Sequence, residues 1–373
     1  MKRIGLFSIL SCVLLLCIRV AATAPEVSAR SAVLIEADTG EVIFEKNANE
    51  RLPMASTTKI MTAVVALEET TAKDLSRTVS VAESACGVEG SSIYLTPGEE
   101  LSLEELLYAM LLESANDAAA AIACEIAGGV EEFAVLMNDT ASRLGLYDTH
   151  FTNPHGLDNE AHYTTASDLA RLTAYAMQNE HFREIVSTYR HTIPQNGDEG
   201  VRVLLNHNKL LRMSNNVIGV KTGFTKKSGR CLVSAAERDG VSVIVVTLNA
   251  PDDWHDHTLL HEYGFSKYHT ESLARVGDFT FEIPCPNAQN GSVTVSNTDE
   301  LSVCLKNGTK VEVTVEAPHL IFSPINVGDK LGRVVFTVGD TVLGELPLYA
   351  RVAVSEAADE RSFAEKLRNR LIG

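Results

Sequence analysis

Two apolar strand-turn-strand segments stand at opposite ends of a helix-rich stretch, and this constrains the fold more than any other feature. Ser31–Glu45 carries Val33-Leu34-Ile35, the turn Asp38-Thr39-Gly40 and the return Val42-Ile43-Phe44. Late in the chain, Cys231–Ala236 and Val241–Leu248 flank the turn Arg238-Asp239-Gly240. Short apolar runs bounded by such turns read as hairpins. Between them, apolar residues recur at helical spacing over about Ser56–Glu69 (Ile60, Ala63, Val64, Leu67), Leu101–Leu112, Asp117–Ala127, Val130–Leu144 and Thr165–Gln178. Two strands early and two late predict one antiparallel sheet that joins the ends of this region. Helices cover it, in an α+β or three-layer design.

The character changes near His269. From Gly277 to Arg351 the chain is rich in Val, Thr, Ile and Phe, with turns at Gln289-Asn290-Gly291, Lys306-Asn307-Gly308 and Val338-Gly339-Asp340. That spacing predicts a small all-β domain. The last stretch, Glu356–Ile372, reads as a helix, with Phe363, Leu367 and Leu371 on one side. At the other end, Lys2 and Arg3 precede the apolar run Ile4–Ile18 and the small residues Ala21, Ala22, Thr23 and Ala24. This is the layout of a secretory signal peptide. The expected organisation is a signal at 1–24, a main domain at 25–268, an all-β domain at 275–353 and a tail helix at 355–373.

Charge and composition exclude several classes. The net charge is −17. Loss of Lys2, Arg3 and Arg19 with the signal, and of no acidic residue, moves it to −20. A protein that grips nucleic-acid phosphates would be basic. Hydrophobic residues make up 45%, too many for a disordered chain. There is one long apolar run, so the chain is not a polytopic membrane protein. Cys86, Cys124, Cys231, Cys285 and Cys304 remain after the signal. They are odd in number and form no short-spaced disulfide framework. Cys285 and Cys304 either pair with each other or stay as buried thiols.

Three short motifs carry the chemistry: Ser56-Thr57-Thr58-Lys59, Ser114-Ala115-Asn116 and Lys221-Thr222-Gly223. Three residues apart on a helix, Ser56 and Lys59 share a face. A serine hydroxyl needs a neighbouring base to become a nucleophile. Lys59 serves only if its amine is neutral, and burial or a second cation such as Lys221 lowers an ammonium pKa. Ser114 is placed to relay a proton to a leaving amine. Asn116 can hold Lys59 or a substrate amide, or one of the two can simply cap the helix that follows. Lys221 and Thr222 suit a substrate carboxylate, and Gly223 permits close approach to the backbone.

The trio, in this order, resembles the penicillin-recognising serine enzymes. The segments Asn153-Pro154-His155-Gly156-Leu157-Asp158 and His162-Tyr163-Thr164-Thr165-Ala166 narrow the resemblance. They are similar to those of low-molecular-weight penicillin-binding proteins, the D-alanyl-D-alanine carboxypeptidases. The likeness is close over Ala29–Phe265 and looser beyond. It implies the β-lactamase/DD-peptidase type of antiparallel sheet with a helical subdomain. It also implies a peptidoglycan stem peptide ending in D-Ala-D-Ala as substrate, and β-lactams as inhibitors that acylate the same serine. The oxyanion hole would come from the backbone N–H groups of Ser56 and Phe224. No cofactor, metal or nucleic acid is implied. The tail would rest on the outer face of the cytoplasmic membrane. A serine β-lactamase is the rival reading. Asp158 and Glu160 stand before Lys221, but without the E-x-x-x-N pattern of those enzymes. An idle cell-wall scaffold is a second rival. His155 and His162 are expected to make structural hydrogen bonds. His257 and His261 stand four apart beside His255, but no H-E-x-x-H occurs.

Overall fold

The computed structural model describes residues 24–70, 74–195 and 200–356. The signal-like run at 1–23 and the tail at 357–373 lie outside the described residues.

Along the chain, β1 (Ser31–Glu36) and β2 (Val42–Lys46) form the early hairpin, and α1 (Lys59–Glu68) follows a short 3-10 turn at Ala55–Thr58. A small ribbon of β3 (Thr78–Ser80) and β4 (Glu100–Ser102) leads into the helices α2 (Leu103–Leu112), α3 (Asn116–Ala127), α4 (Val130–Arg143), α5 (Ala166–Ala176) and α6 (Glu180–Ser187). A second ribbon, β5 (Arg190–Gln195) with β6 (Gly200–Leu205), and the single turn α7 (Leu210–Met213) precede three long strands. These are β7 (Val217–Thr225), β8 (Gly229–Arg238) and β9 (Val241–Leu248), closed off by α8 (Asp253–Phe265).

The sheet order is β2-β1-β9-β8-β7. The first strand thus pairs with the last, and the two ends of the region close on each other as the hairpins required. Both faces of this sheet are apolar. Val33 and Ile35 of β1, with Ile244 and Val246 of β9, face the larger core, which holds α1 to α6. Ala32 and Leu34, with Val243 and Val245, face α8. A strand covered on both sides shows no polar alternation, and β1 is buried along its whole length. The sequence reading put Lys221-Thr222-Gly223 on a sheet edge without counting it as a fifth strand, which the structure shows as β7. Its Gly219, Lys221, Thr222 and Gly223 interrupt the apolar pattern that marks the other strands.

The C-terminal region is all-β. β10 (Tyr268–Ala274) pairs with β13 (Leu301–Lys306), and a sheet of order β11-β12-β16-β15-β14 holds the rest. Its strands are β11 (Thr280–Pro284), β12 (Ser292–Asn297), β14 (Glu312–Glu316), β15 (Lys330–Val338) and β16 (Thr341–Ala350). Glu41 at the β1–β2 turn ties this module to the first region. It accepts from Tyr268 Oη at 2.6 Å and pairs with Lys306. Cys285 and Cys304 are free thiols, so the pairing alternative is corrected. Cys285 is buried in the module's own core, whereas Cys304 sits on β13 against the α8 side of the main sheet.

Candidate active site

Ser56 sits in the 3-10 turn Ala55–Thr58, one turn before the helix proper. Ala55 has φ +48°, in the left-handed region that costs a non-glycine residue about 1 kcal/mol or more. The turn is held from below. Thr58 Oγ1 donates to Ala55 O at 2.8 Å and lies 2.7 Å from His162 Nε2. Thr152 N–H donates to His162 Nδ1 at 3.0 Å. Nδ1 is therefore the acceptor, and Nε2–H donates to Thr58. Burial, then the nearby His150 and Lys59, push His162 down to about 4. The Asn153–Leu157 loop closes on the other side. Gly156 has φ +91°, and a Cβ there would overlap the Ala55 carbonyl and come within 2.9 Å of Ser56 N.

Lys59 is wholly buried. Its Nζ lies 3.1 Å from Ser56 Oγ, 2.7 Å from Asn116 Oδ1 and 2.6 Å from His155 O. Burial pushes its pKa well below the ordinary lysine value; Lys221 adds to this and Asp117 opposes it. A neutral amine has two N–H donors and one lone pair. The carbonyl oxygens of Asn116 and His155 only accept, so they take both donors. In that neutral form the lone pair is left to accept from the Ser56 hydroxyl, whose Oγ stands 3.1 Å away. The Asn116 amide cannot turn round, because its Nδ2 donates to Glu89 O at 2.5 Å.

Of the contacts open to Asn116, the one with Lys59 is present in the structure. The capping alternative is corrected: Ala115 occupies the cap of α3, with no side-chain cap bond. Ser114 precedes it with φ +61°, a strained conformation that breaks the chain between α2 and α3. Asp117, a residue the motif reading passed over, organises the facing loop. Its carboxylate accepts from Ser92 Oγ at 2.6 Å, Leu95 N at 3.0 Å and Ile93 N at 3.3 Å. Only its tertiary partners reveal this.

β7 forms the opposite wall. At Gly223 a Cβ would lie 3.0 Å from Ser56 N and 3.1 Å from Met54 O, tighter than a side chain ordinarily packs, so glycine eases this close approach of strand and turn. Lys221 is 1% exposed and sits beneath Thr222, with Nζ donating to Thr222 O at 3.1 Å. Burial pushes it down to about 7, and Glu113 opposes that. Ser56, Ser114, Thr222, Gly223 and Phe224 line one cleft of about 300 Å³. His207 borders it as well, with Nε2 3.2 Å from Glu113 Oε2.

His257 and His261 serve the fold. Both meet Ser234 Oγ, at 2.6 and 2.8 Å, and His257 Nε2 lies 2.9 Å from Thr247 Oγ1. No group of three or more His, Cys, Asp or Glu side chains able to hold a metal lies among the described residues. Asp158 accepts from Thr225 Oγ1 at 3.0 Å.

The motifs thus converge on one serine, one buried amine and one strand edge, and relatives with known activities share this chain's extent. The family model for D-alanyl-D-alanine carboxypeptidase matches residues 18–252. The model for the C-terminal domain of penicillin-binding protein 5 matches residues 268–356. The D-alanyl-D-alanine carboxypeptidase DacF of Bacillus subtilis is 34% identical over 88% of this chain and 86% of its own length. Penicillin-binding protein 5 of Haemophilus influenzae superposes with a TM-score of 0.64 at 27% identity, covering 90% of this chain and 100% of that one. The Streptomyces K15 DD-transpeptidase superposes at 0.62 with 32% identity, covering 66% of this chain and 100% of its own. On this evidence the chain belongs to the D-alanyl-D-alanine carboxypeptidase family of serine peptidases.

Proposed function

We propose that this protein removes the terminal D-alanine from peptidoglycan stem peptides through an acyl-enzyme on Ser56. The single observation that carries the reading is the environment of Lys59: a buried amine 3.1 Å from Ser56 Oγ and held at 2.7 and 2.6 Å by the Asn116 and His155 carbonyl oxygens. Ser56 Oγ attacks the carbonyl between the two D-alanines as its proton passes to Lys59 Nζ. The backbone N–H groups of Ser56 and Phe224 hold the oxyanion, each worth about 3 kcal/mol in the transition state. Ser114 passes a proton to the departing amine. Lys221 and Thr222 hold the substrate carboxylate, the first as buried charge and the second as a donor at the cleft. Water then cleaves the acyl-enzyme and restores Ser56. A β-lactam offers the same carbonyl and carboxylate to the same serine.

The β-lactamase alternative is not favoured. The relatives are D-alanyl-D-alanine carboxypeptidases, and a C-terminal β module follows the catalytic region. The idle-scaffold alternative finds no support in a base and nucleophile already in register. The deciding experiment compares release of D-alanine from diacetyl-Lys-D-Ala-D-Ala with hydrolysis of penicillin. Turnover of the peptide with slow release of penicillin is expected. Rapid penicillin turnover with no peptide cleavage would overturn the reading.

Export to the outer face of the cytoplasmic membrane belongs to the same proposal. It is supported by the charged, apolar and small-residue order of 1–24, and by a substrate that lies outside the cytoplasm. Membrane attachment would come through the amphipathic sequence at the C-terminus. No described helix is long and apolar enough to cross a membrane. Deletion of Glu356–Gly373 is expected to release the protein from the membrane fraction. Unchanged retention would defeat the anchor.

A further inference from the structure

Three side chains at one end of the cleft take no part in the chemistry above. Arg230, Asp253 and Trp254 line it beyond Phe224. Arg230 stands directly opposite Phe224 in the β7–β8 ladder, and opposite residues on paired antiparallel strands share a face. Its Nε and Nη2 both donate to Asp253 Oδ1, at 2.9 and 2.7 Å. The same oxygen accepts from Trp254 N at 2.9 Å. The guanidinium carbon lies 5.4 Å from the centroid of the Trp254 ring. The Asp253 side chain is 4% exposed and that of Arg230 is 41% exposed. The carboxylate is thus buried behind, while the cation fronts the cleft with Nη1 uncommitted to this pair. A guanidinium steadied by a buried carboxylate and an indole is a planar fork suited to a second carboxylate.

The position of this group along the substrate follows from the sheet. β7 is an edge strand, and an exposed edge accepts an extended peptide alongside it. The carboxypeptidase reading puts the terminal carboxylate at Lys221–Thr222 and the scissile carbonyl at Ser56. The rest of the stem then runs past Gly223 and Phe224, and Arg230, opposite Phe224, fronts the same cleft. His207 also lines the cleft and is paired with Glu113.

We propose that Arg230, held by Asp253 and Trp254, is the subsite for a side-chain carboxylate on the residue that immediately precedes the two D-alanines. It rests on the carboxypeptidase reading and narrows it. The favoured substrates are stems whose diamino acid carries a free carboxyl, as diaminopimelate does, over stems in which that carboxyl is amidated or absent.

The test uses the full chain and two N-acetylated peptides, diaminopimelyl-D-Ala-D-Ala with the side-chain carboxyl either free or amidated. Release of D-alanine gives kcat/KM for each. The free form is expected to be preferred by roughly tenfold, the scale of one charge-assisted hydrogen bond. The preference is expected to collapse toward unity in Arg230→Gln, with penicillin labelling of that variant reporting an intact Ser56 site. Equal kcat/KM for the two peptides on the unsubstituted protein would overturn the subsite without recourse to any variant. A preference that survives Arg230→Gln would overturn it as well. Failure to cleave either peptide would overturn the carboxypeptidase reading, and this subsite with it.

Discussion

Lys59 Nζ lies 2.7 Å from Asn116 Oδ1, and the amide that supplies that oxygen is locked by its own bond to Glu89 O. This acceptor is neutral, so it adds no negative charge to offset the burial that lowers the Lys59 pKa. A carboxylate in the same place would favour the ammonium form. Asn116→Asp is therefore expected to slow acylation by penicillin about 100-fold at neutral pH, the scale of a lost general base. The rate is expected to recover as pH rises and Lys59 loses its proton. Stopped-flow acylation across pH measures this. An equally large loss at every pH would contradict it.

Lys221 gives a second pH effect, of opposite sign. Its charge holds the substrate carboxylate, and burial brings its pKa to about 7. The profile of kcat/KM, which reports the free enzyme, is expected to fall on the alkaline side as pH rises through about 7. Arginine keeps its proton throughout this range. In Lys221→Arg the alkaline limb is expected to move upward, whatever the absolute rate. A limb that stays in place would assign it to another group.

Acid sensitivity of the fold follows from His162. Its folded pKa of about 4 lies below the ordinary 6.5. Between those values the unfolded chain binds more protons. The stability contribution is therefore complete above about pH 6.5 and is lost as pH falls toward 4. The loss is on the order of 3 kcal/mol. Urea denaturation at pH 7 and pH 4.5 measures it. In His162→Gln the pH dependence between these points is expected to shrink. His162→Leu, by contrast, loses the donor that steadies Thr58 beneath the Ser56 turn, so its penicillin labelling is expected to slow.

Much of the site was legible in the sequence, and the missing parts share a cause. Ser56, Lys59, Ser114, Asn116 and the Lys221–Phe224 segment come together in one place because each motif reports a local need: a nucleophile, a base, a break between helices, a strand edge. What escaped is tertiary. Nothing in Met54-Ala55-Ser56 marks Ala55 as left-handed; the turn is imposed by Gly156, His162 and Thr58 around it. The role of Asp117 depends on backbone N–H groups of a loop more than twenty residues earlier, at Ile93 and Leu95. The full length of β7 was not counted as a strand, because the residues that make it a binding edge are those that spoil its apolar pattern. In the fold, the joined hairpins and the all-β module were readable from turn spacing. The helix α6 and the β5–β6 ribbon were not: α6 is only two turns long, and the ribbon is largely exposed, with apolar Val201, Val203 and Leu205 at its surface.

Gly156 tests the packing around the nucleophile. Its backbone is left-handed, and a Cβ would strike the Ala55 carbonyl, a main-chain atom with no room to move. Gly156→Ala is expected to cost on the order of 3 kcal/mol, from conformational strain and overpacking together. It is also expected to slow penicillin acylation. Thermal unfolding and labelling kinetics read the two effects. A variant as stable and as reactive as the unsubstituted protein would show that the loop does not brace the turn.

The central claim is that Ser56 is the acylated nucleophile. Incubation with penicillin, proteolysis and mass spectrometry of the peptides measures it directly. A single penicilloyl adduct on Ser56 is expected, absent from Ser56→Ala, with release of D-alanine lost in the same variant. An adduct on another residue, or covalent labelling that persists in Ser56→Ala, would contradict the account.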